Sequence, residues 1–251
     1  MIGLKNITVA YGDRVILDNI SLEISKGETL AIIGASGSGK STILRLLIGL
    51  QKPTSGEVII GDVDITKLNE DELNEVRADM GMVFQYSALF DSMSVGENVA
   101  FGLRQHTKYD EAMIKAVVAD KLDMVGLTGT ESAMPNNLSG GMKKRVSLAR
   151  AIAQNPSIML YDEPTAGLDP IRATAINRLI VSTQKHLRAT SVVVTHAMNS
   201  AYYVADRIAM LHEGHFLEIS SAEKFRNSKN ELVQQFIHGW ESPADGRRNI
   251  D

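Results

Sequence analysis

The feature that most constrains the fold is a glycine-rich loop near the N-terminus, GASGSGKS at residues 34–41. It fits the pattern G-x-x-x-x-G-K-[ST], and it stands between a short apolar run, TLAIIG, and a segment with helical spacing, STILRLLIGL. A loop with this pattern binds phosphate when a strand enters it and a helix leaves it. The loop therefore predicts a strand–loop–helix unit of an α/β fold.

Each residue type in this loop suits phosphate binding. Gly34, Gly37 and Gly39 permit positive φ angles, so backbone N–H groups can turn toward phosphate oxygens. Lys40 supplies a charge for the terminal phosphates, and the Ser41 hydroxyl can ligate Mg²⁺. The alternative is a Gly/Ser-rich loop with an incidental lysine, which requires the loop and both flanking elements to match by accident.

Composition and charge exclude several classes of function. The chain has 251 residues and no cysteine, which excludes a disulfide framework, a thiolate metal site and a thiol nucleophile. Its net charge of -4 gives no general attraction to nucleic acid, so we predict no nucleic-acid partner. No apolar run approaches the about 20 residues of a spanning helix. We expect a soluble chain that reaches a membrane through a partner.

Strand and helix patterns alternate along the chain. GLKNITVAYG and DNISLEIS alternate as exposed strands do, whereas TLAIIG, MGMVFQ, SIMLYDE and SVVVTH are short apolar runs typical of buried strands. The segment from about Tyr86 to Arg150 reads as a helical insertion, with YDEAMIKAVVADKLDMVGL as a strong amphipathic helix. Buried strands that alternate with helices predict a mainly parallel sheet covered on both faces.

These patterns divide the chain into one main domain and a tail. We predict a domain over residues 1–235 and a polar C-terminal arm over 236–251. The core would comprise residues 1–85 and 151–235, with a helical subdomain at 86–150. Trp240, Arg247 and Arg248 in the arm suggest docking on a neighbouring protomer or an accessory subunit.

Two carboxylates end the run SIMLYDE. Strand alternation points Asp162 and Glu163 to opposite sides unless the strand ends there, so they should have separate roles. Asp162 is the candidate for holding Mg²⁺, and Glu163 is the candidate base that polarises an attacking water. The alternative is a pair of acids in a solvated turn.

The segment NNLSGGMKKRVSLARAIAQNP predicts a second helix N-terminus that can bind an anion. Ser139 is a good N-cap, and Gly140 and Gly141 expose backbone N–H groups. Either the chain binds two anions, or two copies meet head to tail and each helix end caps the other's nucleotide.

The order and spacing of these motifs carry a resemblance to a known family. The Walker-type loop, LSGGM shortly before YDEPTAGLDP, and VVVTH after it resemble the nucleotide-binding subunit of an ABC transporter over roughly residues 1–220. The resemblance implies an α/β P-loop NTPase with a RecA-like, mainly parallel core sheet, an N-terminal antiparallel β-subdomain and an inserted α-helical subdomain. It further implies ATP hydrolysis with Mg²⁺ and a homodimer around two ATPs. It also implies an integral-membrane permease as partner and a peripheral position on the cytoplasmic face of the inner membrane.

The resemblance assigns roles on the nucleotide's own protomer. Tyr11 would stack on adenine, Gln85 would touch Mg²⁺ or the water and couple to the membrane partner, and His196 would contact the γ-phosphate and orient the attacked group. Each has a structural alternative: Tyr11 as an aromatic residue of an edge strand, Gln85 as a polar residue at a strand end, and His196 as a helix-capping histidine. The phosphates would be held by the loop residues Gly34, Ala35, Ser36, Gly37, Ser38, Gly39, Lys40, Ser41 and Thr42.

Other roles fall on the opposite protomer. Ser139, Gly140 and Gly141 would read the γ-phosphate of the partner's ATP, and Asp169 would lie across the dimer interface. Met142 stands where this family usually has Gln, and a thioether lacks the hydrogen bonds of an amide, which puts a ribose-side contact in doubt.

A narrower resemblance rests on FQYSALFDSMSVGENVAFGLR and LSGGMKKRVSLARAI. These segments are similar to the ATPase of Mla-type phospholipid transport systems, which pairs with a permease, an MCE-domain lipid-binding protein and often a STAS-domain subunit. Tyr86, Leu89, Phe90 and Met93 would suit a groove for a permease helix, or would form ordinary core packing. The rivals are an amino-acid or lipoprotein transporter ATPase and a soluble ABC ATPase, for example in iron–sulfur assembly.

Overall fold

Two β-sheets and nine α-helices make up residues 1–239, the part of the chain that this computed structural model describes. The strands are β1 (Ile2–Tyr11), β2 (Arg14–Ile24), β3 (Thr29–Ile33), β4 (Ser55–Ile60), β5 (Val63–Asp64), β6 (Met80–Val83), β7 (Ile158–Asp162), β8 (Thr190–Thr195), β9 (Arg207–His212) and β10 (His215–Ser221). The helices are α1 (Lys40–Leu47), α2 (Glu70–Arg77), α3 (Val95–His106), α4 (Glu111–Met124), α5 (Gly140–Ala151), α6 (Pro170–Leu187), α7 (Met198–Val204), α8 (Ala222–Arg226) and α9 (Glu231–His238).

The N-terminal sheet is antiparallel, with strand order β2-β1-β4-β5. Buried Leu4 pairs with buried Leu22, and the same face packs on the core that contains Leu44 of α1. The antiparallel β-subdomain is therefore present, as predicted. The sequence reading missed β4, in which Gly56 has a φ of 96° and a virtual Cβ would lie 2.5 Å from the carbonyl oxygen of Lys5.

The larger sheet has the order β10-β9-β3-β8-β7-β6 and is parallel except for β10 at its edge. Every residue of β3 and β8 is buried because helices cover both faces. The four predicted apolar runs are β3, β6, β7 and β8, each within two residues of its predicted ends. Since parallel strands end at one edge, the residues after β3, β7 and β8 come together there.

Three helices, α3, α4 and α5, lie between β6 and β7, and no strand occurs between residues 84 and 157, which the structure describes in full. Each helix begins at a side-chain cap: Ser94 with Glu97 in a capping box, Asp110, and Ser139. The helix predicted at 109–127 is α4, which is shorter because its last turn is followed by Gly126 with a φ of 69°.

The described part of the chain ends just after α9. Asn230 caps α9, and its buried Val233 belongs to a small core with Phe225 of α8. Most of the predicted arm at 236–251, including Trp240, Arg247 and Arg248, lies outside the described residues. None of the helices in residues 1–239 has the length and apolar character needed to cross a bilayer.

Candidate nucleotide-binding site

The loop between β3 and α1 forms a cradle that glycine alone can build. Gly34 has a φ of 154°, and a Cβ at this position would lie 2.3 Å from the carbonyl oxygen of Leu211. Gly39 has a φ of 104°, and its Cβ would lie 2.9 Å from Leu17 Cδ2. Because α1 begins at Lys40, the free N–H groups of its first turn lie at this loop. The loop has the geometry of an anion site.

Lys40 is buried and lies against the loop. Its Nζ donates to the carbonyl oxygens of Gly34 and Ala35, each at 2.8 Å. Burial lowers the pKa of Lys40, and the nearby carboxylates of Glu163 and Asp162 act in the opposite direction. Ser38 Oγ is buried and has no hydrogen-bond partner among the described residues. A buried polar group left unpaired costs about 1–3 kcal/mol, which a phosphate oxygen in the loop would offset.

Ser41 and Asp162 place two oxygens side by side. Ser41 Oγ on α1 donates to Oδ1 of Asp162, the last residue of β7, at 3.2 Å. Burial raises the pKa of Asp162, and the hydrogen bond from Ser41 acts against that rise. Residues 1–239 contain no cluster of three or more His, Cys, Asp or Glu side chains suited to a metal. Mg²⁺ does not require such a cluster, since it commonly binds one or two protein oxygens together with phosphate and water. The pair fits that ion.

Glu163 adopts an uncommon backbone conformation directly after β7. Its φ is 46°, in the left-handed region, and its N–H donates to the carbonyl oxygen of Val194 at 2.9 Å. The carboxylate is buried: Oε2 accepts from Thr195 Oγ1 at 3.1 Å, and Oε1 lies 2.8 Å from His196 Nδ1. The strand thus ends between the two acids, and Asp162 contacts α1 while Glu163 contacts the end of β8.

His196 is an exposed residue that follows β8. The contact to Glu163 Oε1 fits a tautomer with the proton on Nδ1, which leaves Nε2 for another group. The N-cap of α7 is Ala197, and no side chain caps that helix. His196 therefore does not serve as the helix cap considered as its alternative role.

Tyr11, at the end of β1, is 55% exposed and lines the same 240 Å³ cavity as Lys40 and Thr42 of the loop. Arg14 and Arg45 also line this cavity, and the sequence reading did not select them. Their signals were weak: Arg14 follows a short turn after Tyr11, and Arg45 lies one helical turn beyond Ser41.

Ser139, Gly140 and Gly141 stand at the start of α5, where Ser139 Oγ accepts from the Met142 backbone N–H at 3.3 Å. A separate 410 Å³ cavity lies beside them and is lined by Ser139, Gly141, Met142, Arg145 and Arg172, among others. No residue of the loop at 34–42 lines it. Within one chain, the structure does not bring the two predicted anion-binding helix ends together.

Asp169 and Gln85, two further predicted site residues, make hydrogen bonds within the chain. Asp169 caps α6, since its Oδ1 accepts from the N–H groups of Ile171 and Arg172. Gln85 lies in the loop after β6, and its backbone carbonyl accepts from Lys144 Nζ. Lys144 was not selected from the sequence. Its signal is its position four residues before buried Leu148 on the inner face of α5.

An apolar groove of 590 Å³ lies beside the Gln85 loop. Its lining includes Phe84, Phe90 and Phe101 together with Arg150. Of the predicted cluster Tyr86, Leu89, Phe90 and Met93, Phe90 alone lines it, and Tyr86 is 86% exposed. The aromatic residues of the groove therefore come from α3 and from the loop between β6 and α3.

A mainly parallel sheet that carries a glycine-rich phosphate loop after one strand and paired acids after another defines a P-loop NTPase. The family model described as ABC transporter matches residues 17–166, and the chain belongs to this family.

Relatives match nearly the whole chain. The intermembrane phospholipid transport system ATP-binding protein MlaF of Haemophilus influenzae is 42% identical over 95% of this chain and 90% of its own length. The probable ribonucleotide transport ATP-binding protein mkl of Mycobacterium leprae is 41% identical over 95% of this chain and 69% of its length. The methionine import ATP-binding protein MetN of Geobacillus kaustophilus is 42% identical over 100% of this chain and 74% of its length.

Solved structures agree with the fold. The dimeric ATP-binding cassette MJ0796 in a post-hydrolysis state with ADP and Pi superposes with a TM-score of 0.82, at 36% identity over 88% of this chain and 99% of that one. The cbiO1 subunit of the cbiONQ transporter complex from Clostridium perfringens superposes with a TM-score of 0.84, at 29% identity over 94% of each chain.

These comparisons confirm the predicted fold class and the resemblance to ABC transporter subunits, including the Mla-type ATPase. The chain is an ABC-type ATPase and the ATP-binding subunit of an ABC transporter. The relatives are named for phospholipid, ribonucleotide and methionine transport at nearly equal identity, so identity at this level spans several cargoes.

Proposed function

We propose that the chain hydrolyses ATP within a head-to-tail homodimer and drives a membrane permease that moves phospholipid between membranes. The observation that carries the ATPase part is the grouping at one sheet edge: Ser41 with Asp162, and Glu163 with Thr195 and His196. The first pair suits a metal-bound phosphate, and the second group suits a water poised for attack.

Each residue of the site has a separate part in the proposed reaction. The loop N–H groups and Lys40 hold and neutralise the phosphates, and Tyr11 packs on the adenine. Glu163 accepts hydrogen bonds from Thr195 and His196, which fix the orientation of its carboxylate toward the water. Ser41 and Asp162 would hold Mg²⁺, with Gln85 as a further candidate ligand, and the ion would offset phosphate charge.

The separation of the two anion-binding helix ends supports the homodimer. Ser139 and Gly141 border a cavity that shares no residue with the loop at 34–42, so one chain offers two half-sites. A head-to-tail pair satisfies both, and Asp169 at the start of α6 then lies near the interface. The MJ0796 cassette, which shares this fold, is dimeric with ADP and Pi.

The groove lined by Phe84, Phe90 and Phe101 supports a permease partner. An apolar groove of 590 Å³ suits the apolar face of a short helix, and its lining continues from the loop that carries Gln85. The permease would hold the chain on the cytoplasmic face of the inner membrane.

Phospholipid is the proposed cargo because the match to MlaF of H. influenzae takes in 90% of that relative, against 69% of mkl and 74% of MetN. An MCE-domain lipid-binding protein and a STAS-domain subunit are the accessory partners proposed with it.

The test is co-purification from detergent-solubilised membranes with tagged Glu163→Gln chain, ATP and Mg²⁺, followed by mass spectrometry of proteins and lipids. Recovery of a polytopic permease, an MCE-domain protein and phospholipid is expected. A permease with a substrate-binding protein for amino acids would overturn the cargo, and soluble partners alone would overturn transport. Lys40→Ala chain in a parallel purification shows which partners depend on nucleotide.

A further inference from the structure

Lys144 is a buried lysine of α5 whose ammonium group joins two separate parts of the proposed catalytic site. The residue is 6% exposed. Its Nζ donates to the backbone carbonyl of Gln85, in the loop after β6, and to that of Glu163, after β7, at 3.3 Å. One side chain thus bonds the backbone of both residues to a third element.

Burial of this charge has a cost that packing alone does not explain. Removal from water lowers the pKa of Lys144, and the neighbouring carboxylates Glu163 and Asp162 act against that change. A methionine of similar length would fill the same space without desolvation of an ammonium group. The hydrogen bonds to the two carbonyls are what a lysine adds here.

The loop that Lys144 holds is strained. Ser87 and Ala88 have φ angles of 63° and 46°, which are uncommon for residues with a side chain. Arg150, further along α5, donates to the carbonyl oxygens of Ser87 at 3.0 Å and Ala88 at 2.6 Å. Helix α5 therefore bonds three carbonyls of the loop, at Gln85, Ser87 and Ala88.

The first turn of α5 carries the second predicted anion site. The helix has 12 residues, a length of about 18 Å, and begins at Gly140 after its Ser139 cap. Because α5 is one continuous helix, its first turn after Ser139 and the side chain of Lys144 belong to the same rigid element, and Lys144 in turn bonds the carbonyls of Gln85 and Glu163.

We infer that Lys144 is a positioning residue for ATP hydrolysis, which holds Gln85 and Glu163 in register with the helix that reads the partner's phosphate. This inference rests on the proposed function, which places Gln85 and Glu163 at the reaction site. Lys144 acts through their backbone and is therefore not itself a catalytic residue.

The test compares Lys144→Met, which keeps length without donors, with Lys144→Arg, which keeps donors, in steady-state ATPase assays of the full chain. Lys144→Met should lower kcat by about tenfold to a hundredfold, the effect of a small misplacement of reacting groups, while KM for ATP changes less than about twofold. Lys144→Arg should recover part of kcat. Lys143→Met, at the half-buried neighbouring lysine, is the control and should stay within about twofold of the parent.

Three further measurements separate the possible outcomes. If Lys144→Met does not fold, Lys144→Gln, which keeps one donor group, replaces it. In a Gln85→Ala background, the kcat loss from Lys144→Met should shrink at least threefold if Lys144 acts partly through Gln85. Lys40→Ala should be inactive while the parent is active, which tests the proposed function separately. An unchanged kcat in folded Lys144→Met would overturn the inference. Equal losses of kcat in Lys144→Met and Lys144→Arg, together with reduced thermal stability of both, would also overturn it.

Discussion

Glu163 Oε1 lies 2.8 Å from His196 Nδ1, and the second carboxylate oxygen of Glu163 accepts from Thr195 at 3.1 Å. Both partners come from the end of β8, the strand next to the one that Glu163 follows. The carboxylate is thus oriented from one side by a hydroxyl and an imidazole, a geometry that suits a general base better than a metal ligand.

Glu163→Gln should abolish turnover and leave ATP binding intact. The amide has the shape of the carboxylate and can still bond Thr195, but it cannot take a proton from water. We expect kcat to fall by about 10² to 10⁴, the usual contribution of general acid–base catalysis. Phosphate release and size-exclusion chromatography with ATP and Mg²⁺ measure the two effects. We expect this variant to form a dimer with ATP. Full ATPase activity would show that Glu163 is not the general base.

Lys40→Ala should weaken ATP binding. Lys40 Nζ lies over the loop through its bonds to Gly34 and Ala35, so its loss removes a charged donor at the phosphates. A hydrogen bond to a charged group contributes about 1.5–3 kcal/mol, or about tenfold to more than a hundredfold in Kd. Isothermal titration with ATP tests this. Lys5→Ala, at an exposed lysine of β1, is the control and should bind as the parent does.

Gly34→Ala should destabilise the chain more than the same substitution at another glycine with a positive φ. At Gly34, an added Cβ meets the Leu211 carbonyl oxygen at 2.3 Å, whereas at Gly129, with a φ of 76°, it meets nothing within 4 Å. Gly129→Ala should cost about 1 kcal/mol from backbone strain, and Gly34→Ala at least about 2 kcal/mol. Urea unfolding monitored by circular dichroism gives both values, and equal losses would contradict the close approach at Gly34.

Ser139→Arg should bind ATP as a monomer and fail to form the ATP-dependent dimer. The large cation would fill the cavity beside the start of α5, where the partner's nucleotide is proposed to sit. Ser139→Ala is the size control. It loses the helix cap, which contributes about 1 kcal/mol, and the hydroxyl proposed to contact the partner's γ-phosphate, but it adds neither bulk nor charge, so its dimer should be weakened less than that of Ser139→Arg. Sedimentation of both variants in the Glu163→Gln background compares them. Normal dimer formation by Ser139→Arg would refute the head-to-tail arrangement.

Local pattern was sufficient to predict the strands and the loop around which the site is built. Both faces of the sheet are covered, so its inner strands are continuous apolar runs. Such runs can be recognised within a few residues, as in β3 before Gly34 and in β7, which ends at Asp162. Strands β9 and β10 were not identified. The edge strand β10 is half-buried after its exposed first residue, so it lacks the clear two-residue alternation of a one-sided sheet.

Features that depend on distant contacts left little or no signal in the sequence. Lys144 lies in the polar string MKKR, which reads as a solvated helix surface, and its burial depends on the carbonyl of Gln85, 59 residues earlier. The left-handed conformation of Glu163 is equally invisible, since nothing in the letters DE distinguishes a strand end from a strand that continues.

Asp162 should reduce the stability of the nucleotide-free fold. Burial raises the pKa of Asp162 above its ordinary value of 3.8, so the folded chain holds a proton there more tightly than the unfolded chain does. At pH 7 the ionised carboxylate therefore costs stability. As the pH falls through the raised pKa, the folded carboxyl becomes protonated first and that cost begins to shrink; it is gone only below the unfolded pKa, close to 3.8.

Asp162→Asn should consequently raise Tm at pH 7 while ATP hydrolysis is lost, because the amide removes the buried charge and can still accept from Ser41. Each kcal/mol regained corresponds to about 2–4 °C for a chain of this size. Calorimetry in EDTA from pH 7 to pH 4 should show the advantage shrinking as the pH falls. Ser41→Ala is the opposing control: it removes a hydrogen bond to the charged carboxylate and should lower Tm at pH 7. A lower Tm for Asp162→Asn at pH 7 would show that its contacts stabilise the carboxylate by more than burial costs it.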